Sequence, residues 1–104
     1  MSNIDYYCYY KIDLEKLEIF NVLAKKITEL YSNHSGCLSY RFSLGLDPDK
    51  KNTAMESGQF SDIKTFHEIK ENIETQNPEI FGALDAAIPG GLKARKYEFF
   101  TSLA

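Results

Sequence analysis

From Leu14 onward, apolar residues recur at Leu17, Phe20, Leu23, Ala24, Ile27, Leu30 and Tyr31, a 3.6-residue period held over about five turns. A helix of this kind is not stable alone; its apolar stripe has to be buried against another layer. Asp13 supplies an N-cap and Glu15 a first-turn carboxylate, while Asn33-His34-Ser35-Gly36 ends the helix. The flanking segments indicate what that layer is. Ile4 to Lys11 (IDYYCYYK) reads as a Tyr-rich strand. Cys37 to Leu44 (CLSYRFSL) alternates, with Leu38, Tyr40, Phe42 and Leu44 on one side and Ser39, Arg41 and Ser43 on the other.

Gly45 to Asn52 is a polar loop, and Thr53 to Phe60 (TAMESGQF) is a third strand that closes a hairpin. A symmetric loop sets Leu44 opposite Thr53 and Arg41 opposite Glu56, an opposite-charge cross-strand pair. Ser61 or Asp62 caps a second helix with the stripe Ile63, Phe66, Ile69 and Ile73. Asn77-Pro78-Glu79 starts a short third helix that buries Ile80, Phe81, Leu84 and Ala87, and Pro89-Gly90-Gly91 stops it. Leu92 to Phe100 (LKARKYEFF) is the fourth strand. The order predicts a single α+β domain over residues 1–104 with the ferredoxin-like β-α-β-β-α-β arrangement. Its antiparallel sheet has four strands, the first and third central, with the helices on one face.

Composition excludes several functions. With 12 Lys+Arg against 15 Asp+Glu the net charge is −3, so there is no basic surface for nucleic acid. The third strand also lacks the basic-Gly-aromatic run with which such sheets stack RNA bases. No run of apolar residues is long enough to span a membrane, and the first residues show no basic segment followed by an apolar one, which predicts a cytoplasmic protein. Cys8 and Cys37 read as reduced, partly buried thiols; a nucleophilic Cys8 would need a neighbouring base and an electropositive setting. His34 reads as surface. No carboxylate stands at ligand spacing from either histidine, so no metal is expected. Gly90-Gly91 is no phosphate loop, and no cofactor motif is found.

Two helices cover one face of a four-stranded sheet, so the other face carries the functional question. The more apolar parity is Tyr6, Cys8, Tyr10, Leu38, Tyr40, Phe42, Met55, Arg95, Tyr97 and Phe99, which is assigned to the helices. The remaining parity is Tyr7, Tyr9, Ser39, Arg41, Ser43, Ala54, Glu56, Gly58, Ala94, Lys96 and Glu98, a face with large aromatics beside charges. It is too apolar to be left in water and too polar for a dry core. A second copy of the chain, stacked about a two-fold axis, would shelter the rings and enclose a polar-lined cavity. Candidate ligand-binding residues are Tyr7, Tyr9, Arg41, Lys96 and Glu98. The tyrosines serve equally as interface residues, and Arg41 with Glu56 equally as a register-fixing ion pair.

The size, the layout and the passage Met55-Glu56-Ser57-Gly58-Gln59-Phe60-Ser61-Asp62, with His67 in the helix that follows, resemble the dimeric α+β barrel proteins, among them the antibiotic biosynthesis monooxygenase group. In that group a Glu near the end of the third strand precedes a helix bearing a His; Glu56 and His67 stand in those places, which implies catalytic roles for both. The chain departs from the group in having no Trp and a Tyr-rich first strand. The helix Asn and the Trp of haem-degrading members have no counterpart here. The bare face and the resemblance together lead to the expectation of a homodimer of unassigned role that binds a small molecule, aromatic ones included, in a cavity between the sheets. Its alternative implication is a cofactor-independent monooxygenase. From the residues alone, Glu56 could equally be a structural ion-pair partner and His67 could simply flank the apolar stripe of its helix.

Overall fold

The computed structural model describes residues 3–101 and 103. The strands are β1 (Ile4–Lys11), β2 (Cys37–Leu44), β3 (Thr53–Phe60) and β4 (Lys96–Thr101); the helices are α1 (Leu17–Ser32), α2 (Ile63–Gln76) and α3 (Pro78–Ala87). The first three strands have the bounds read from the sequence. The sheet is antiparallel in the order β2-β3-β1-β4, so the first and third strands are central, as the ferredoxin-like arrangement requires.

Local chemistry sets the helix starts. Asp13 accepts from the Glu15 amide and opens a 3₁₀ turn, Leu14–Lys16, that leads into α1. Asp62 accepts from the Thr65 amide at the head of α2, so Asp62 rather than Ser61 is the cap. The stripe of α1 buries Phe20, Leu23, Ile27 and Tyr31, that of α2 buries Phe66, Ile69 and Ile73, and α3 adds Phe81, Leu84 and Ala87. All pack on one face of the sheet around Tyr6, Cys8, Tyr10, Tyr40 and Phe60. Leu14, in the 3₁₀ turn before α1, and Ile63, the first residue of α2, are half exposed and add little to the buried stripes.

β4 begins four residues later than the sequence reading set it, at Lys96 instead of Leu92. Gly90 and Gly91 both take positive φ, and the chain then makes a 3₁₀ turn over Leu92–Ala94 before extending. The Leu92 amide is held by the Asp85 carboxylate, which ties that turn to α3. Among the described residues no helix is long and apolar enough to cross a membrane.

Candidate functional site

The face of the sheet away from the helices is a regular grid. The pairing registers place Arg41, Ser57, Tyr7 and Glu98 in one row across β2, β3, β1 and β4. One row to one side holds Ser39, Gln59, Asp5 and Phe100; one row to the other holds Ser43, Met55, Tyr9 and Lys96. Tyr7, Tyr9, Met55 and Phe100 are all exposed here, at 37%, 38%, 39% and 52%. Four large apolar side chains thus stand open to solvent on this one face. The Tyr9 hydroxyl donates to Glu98 at 3.1 Å, which pushes the phenol's pKa up, and Tyr7 meets Phe100 edge to face at 5.6 Å. A shallow depression of about 310 Å³ lies in the grid, lined by Asp5, Tyr7, Ser39, Arg41, Ser57 and Gln59 among others. Five of the sequence-derived candidates, Tyr7, Tyr9, Arg41, Lys96 and Glu98, are therefore on one open surface.

Glu56 is not on it. The β2–β3 register runs one residue away from the symmetric-loop expectation: Leu44 faces Ala54, Arg41 faces Ser57, and Phe42 faces Glu56. Because side chains alternate, this slip moves Ala54, Glu56 and Gly58 beneath the helices and turns Met55 out. The expected Arg41–Glu56 pair does not form. Glu56 is instead the one buried charged side chain among the described residues, 3% exposed. Tyr10 on β1 and Tyr40 on β2 flank it, and both hydroxyls donate to its carboxylate. Burial raises the Glu56 pKa above the ordinary carboxylate range, while the two phenol donors pull the other way. Tyr40 is held flat by Tyr31 of α1, whose ring stacks on it at 4.0 Å with an interplanar angle of 1°. Gly58 lies opposite Tyr40 and leaves room for that ring: a Cβ there would come within 2.7 Å of it.

The remaining candidates occupy other places. His67 is exposed on α2, edge-on to Phe66 and Phe99, and lines a groove with Lys70, Glu71, Glu74 and Thr75. The structure does not bring it into hydrogen-bond contact with Glu56, whose partners are the two tyrosines. Arg95 turns to the helix side, as its parity suggested, and pairs with Glu74 of α2 at 3.3 Å. Leu38 was expected under the helices but is exposed, because the β2–β3 register shifts between Cys37 and Ser39 and Cys37 takes the inward place. Ala94 falls in the 3₁₀ turn and is on neither face. Cys8 is buried, and burial pushes its thiol pKa up to about 12, the opposite of what a nucleophile needs. Among the described residues no group of His, Cys, Asp and Glu is placed to hold a metal ion.

No family model matches the sequence, and no curated protein matches it. Solved structures do. A conserved protein from Methanosarcina mazei superposes with a TM-score of 0.74 at 17% identity, over 96% of this chain and 92% of that one. A proposed antibiotic biosynthesis monooxygenase from Bordetella bronchiseptica gives 0.78 at 7% identity, over 100% of each chain. SnoaB, a cofactor-independent oxygenase from Streptomyces nogalater, gives 0.64 at 15% identity, over 100% of this chain and 96% of that one. The chain has the fold of the antibiotic biosynthesis monooxygenase-like proteins. At these identities the likeness is one of fold, and a shared fold does not carry a shared reaction.

Sequence reasoning placed Glu56 on the wrong face and missed Tyr10 and Tyr40 as its partners. A signal was present. Phe60 has the parity of Glu56, and a Phe two residues before the α2 cap has to enter the core that α2 covers; the parity assignment rested on Met55 and left Phe60 out.

Proposed function

We propose that the chain works as a homodimer whose open sheet faces pack together, and that it binds a small aromatic molecule with an anionic oxygen between them. The carrying observation is the grid itself: exposed Tyr7, Tyr9, Met55 and Phe100 around a depression edged by Arg41. The volume suits a ligand of one or two rings, near the lower end of ordinary small-molecule sites. Tyr7 offers a ring to stack on, and the Arg41 guanidinium offers donors for a carboxylate or phenolate. Arg41 is in no ion pair among the described residues, which leaves it available. Two free, buried cysteines suit the reducing cytoplasm in which we place the protein. The test is calorimetric titration with a panel of hydroxynaphthoates and benzoates. Binding that Arg41→Leu abolishes supports the reading; absence of heat across the panel, or unchanged binding by the variant, rejects it.

A second reading has its own observation, the buried Glu56. A carboxyl with raised pKa, held by two phenols in the dry interior, is the type of group that removes a proton from carbon or a phenol. In cofactor-independent oxygenation, the substrate anion so formed passes electrons to O₂. One oxygen atom ends as a new carbonyl and the other leaves as water. Substrate would reach Glu56 only once a helix lifts from the sheet. Oxygen uptake with anthrones or dihydroxynaphthalenes, abolished in Glu56→Gln and retained in Arg41→Leu, would support this second reading; no uptake by the wild type ends it.

A further inference from the structure

Resting on the homodimer reading above, we infer that the two-fold axis of the pair runs parallel to the strands, between β3 and β1, so that Arg41 of each subunit meets the partner subunit's Glu98. The central row of the open face reads Arg41, Ser57, Tyr7, Glu98 from one edge of the sheet to the other: cation, small residue, large ring, anion. A rotation about an axis along the strands reverses the row beneath itself. Cation then lies on anion, and each small Ser57 lies under the partner subunit's Tyr7 ring. Within one sheet the two charged residues stand three strand spacings apart, ~14 Å, too far to pair with each other.

The flanking rows obey the same operation. Ser39 and Phe100 are at opposite ends of one row, with Gln59 and Asp5 between them, so reversal sets a ring over a small residue and an amide over a carboxylate. In the other flanking row it sets Met55 on the partner subunit's Tyr9, a thioether on a ring. An axis across the strands would instead lay β2 on β2 and bring like charges together at Arg41, which is destabilising. Aligned sheets cross at about 30°, and the central row is the one that this angle displaces least. Because a two-fold contact is made twice, the ion pair is formed at both ends of the interface.

The depression gains a wall from this arrangement. The partner subunit's Phe100 comes over the Ser39 edge, so the site is complete only in the dimer. Glu98 of the partner subunit orients the Arg41 guanidinium while its remaining N–H groups face the ligand.

Charge exchange tests the axis, with sedimentation equilibrium as the readout and circular dichroism to check that each exposed-site variant folds. Arg41→Glu alone and Glu98→Arg alone should each weaken the wild-type dimer by roughly thirtyfold or more. The double exchange should restore it to within about threefold of wild type, since the pair is re-formed with its sign reversed. In a second measurement, Arg41→Cys with Glu98→Cys should give a covalent dimer with a short bis-thiol crosslinker, because facing sheets stand ~10 Å apart, beyond the reach of a direct disulfide. If the wild type is a dimer but the single exchanges have no effect, or the double is weaker than either, the axis is wrong while the dimer stands. A monomeric wild type removes the dimer and the axis together.

Discussion

The Tyr10 hydroxyl donates to the Glu56 carboxylate across 2.5 Å, between neighbouring central strands and under the helices. The Tyr40 hydroxyl does the same from the other flank. Glu56 and these phenols form a polar knot inside an otherwise apolar core, with every buried side-chain donor and acceptor among the described residues satisfied. Satisfied knots of this kind are costly to break by removing one member. Glu56→Ala leaves two buried hydroxyls without their acceptor and should cost about 2–5 kcal/mol in urea unfolding, whereas Tyr40→Phe should cost about 1–3 kcal/mol.

The knot also predicts a pH dependence. The folded-state pKa of Glu56 is raised above its unfolded value, so the folded protein holds this proton more tightly. Stability from this group is therefore full below the unfolded pKa and is lost as pH rises through the folded one. Glu56→Gln has no such proton. The melting temperature of the variant minus that of the wild type should become more positive as pH is raised from 4.5 upward, then level off. A difference that stays flat with pH would show that Glu56 has an ordinary pKa.

Asp62 should behave in the opposite sense. The Thr65 amide holds its carboxyl below the usual range, so the cap is worth most above the unfolded pKa and fades as pH falls through the folded one. Asp62→Ala should lower the melting temperature at pH 7 and match the wild type in strong acid.

Gly58 gives a packing test linked to the knot. An added Cβ would lie 2.7 Å from the Tyr40 ring and 2.9 Å from the Ser39 carbonyl, against a ring already clamped by Tyr31. Gly58→Ala should destabilise by about 1–3 kcal/mol, in a strand where alanine would otherwise be the better residue.

Neighbouring positions on α2 should separate sharply. Phe66 is fully buried against Tyr6 at 4.3 Å between ring centroids, and Phe66→Ala should cost about 3–5 kcal/mol. His67→Ala, at an exposed position, should change stability by about 0.5 kcal/mol or less. Under the second functional reading it should also leave oxygen uptake intact, because His67 makes no contact with the Glu56 knot.

Local signals in the sequence determined the elements. Asp13 marked the turn that leads into α1 and Ser61 or Asp62 the start of α2, the stripe from Leu17 to Tyr31 identified the face of α1, and the Tyr-rich run of β1, the alternation of β2 and the hairpin arm of β3 gave those strands their observed bounds. The order of those elements was enough for the sheet topology and for the bare face that carries Tyr7, Tyr9, Arg41, Lys96 and Glu98. What only the tertiary structure decided was the parity of β3. Thr53 to Phe60 carries Met55 on one parity and Phe60 on the other, so its own pattern favours neither face, and the loop before it permits either register. Packing of Phe60 against Tyr6 and Phe66 chose between them, and that one-residue difference moved Glu56 from the open surface into the core between Tyr10 and Tyr40.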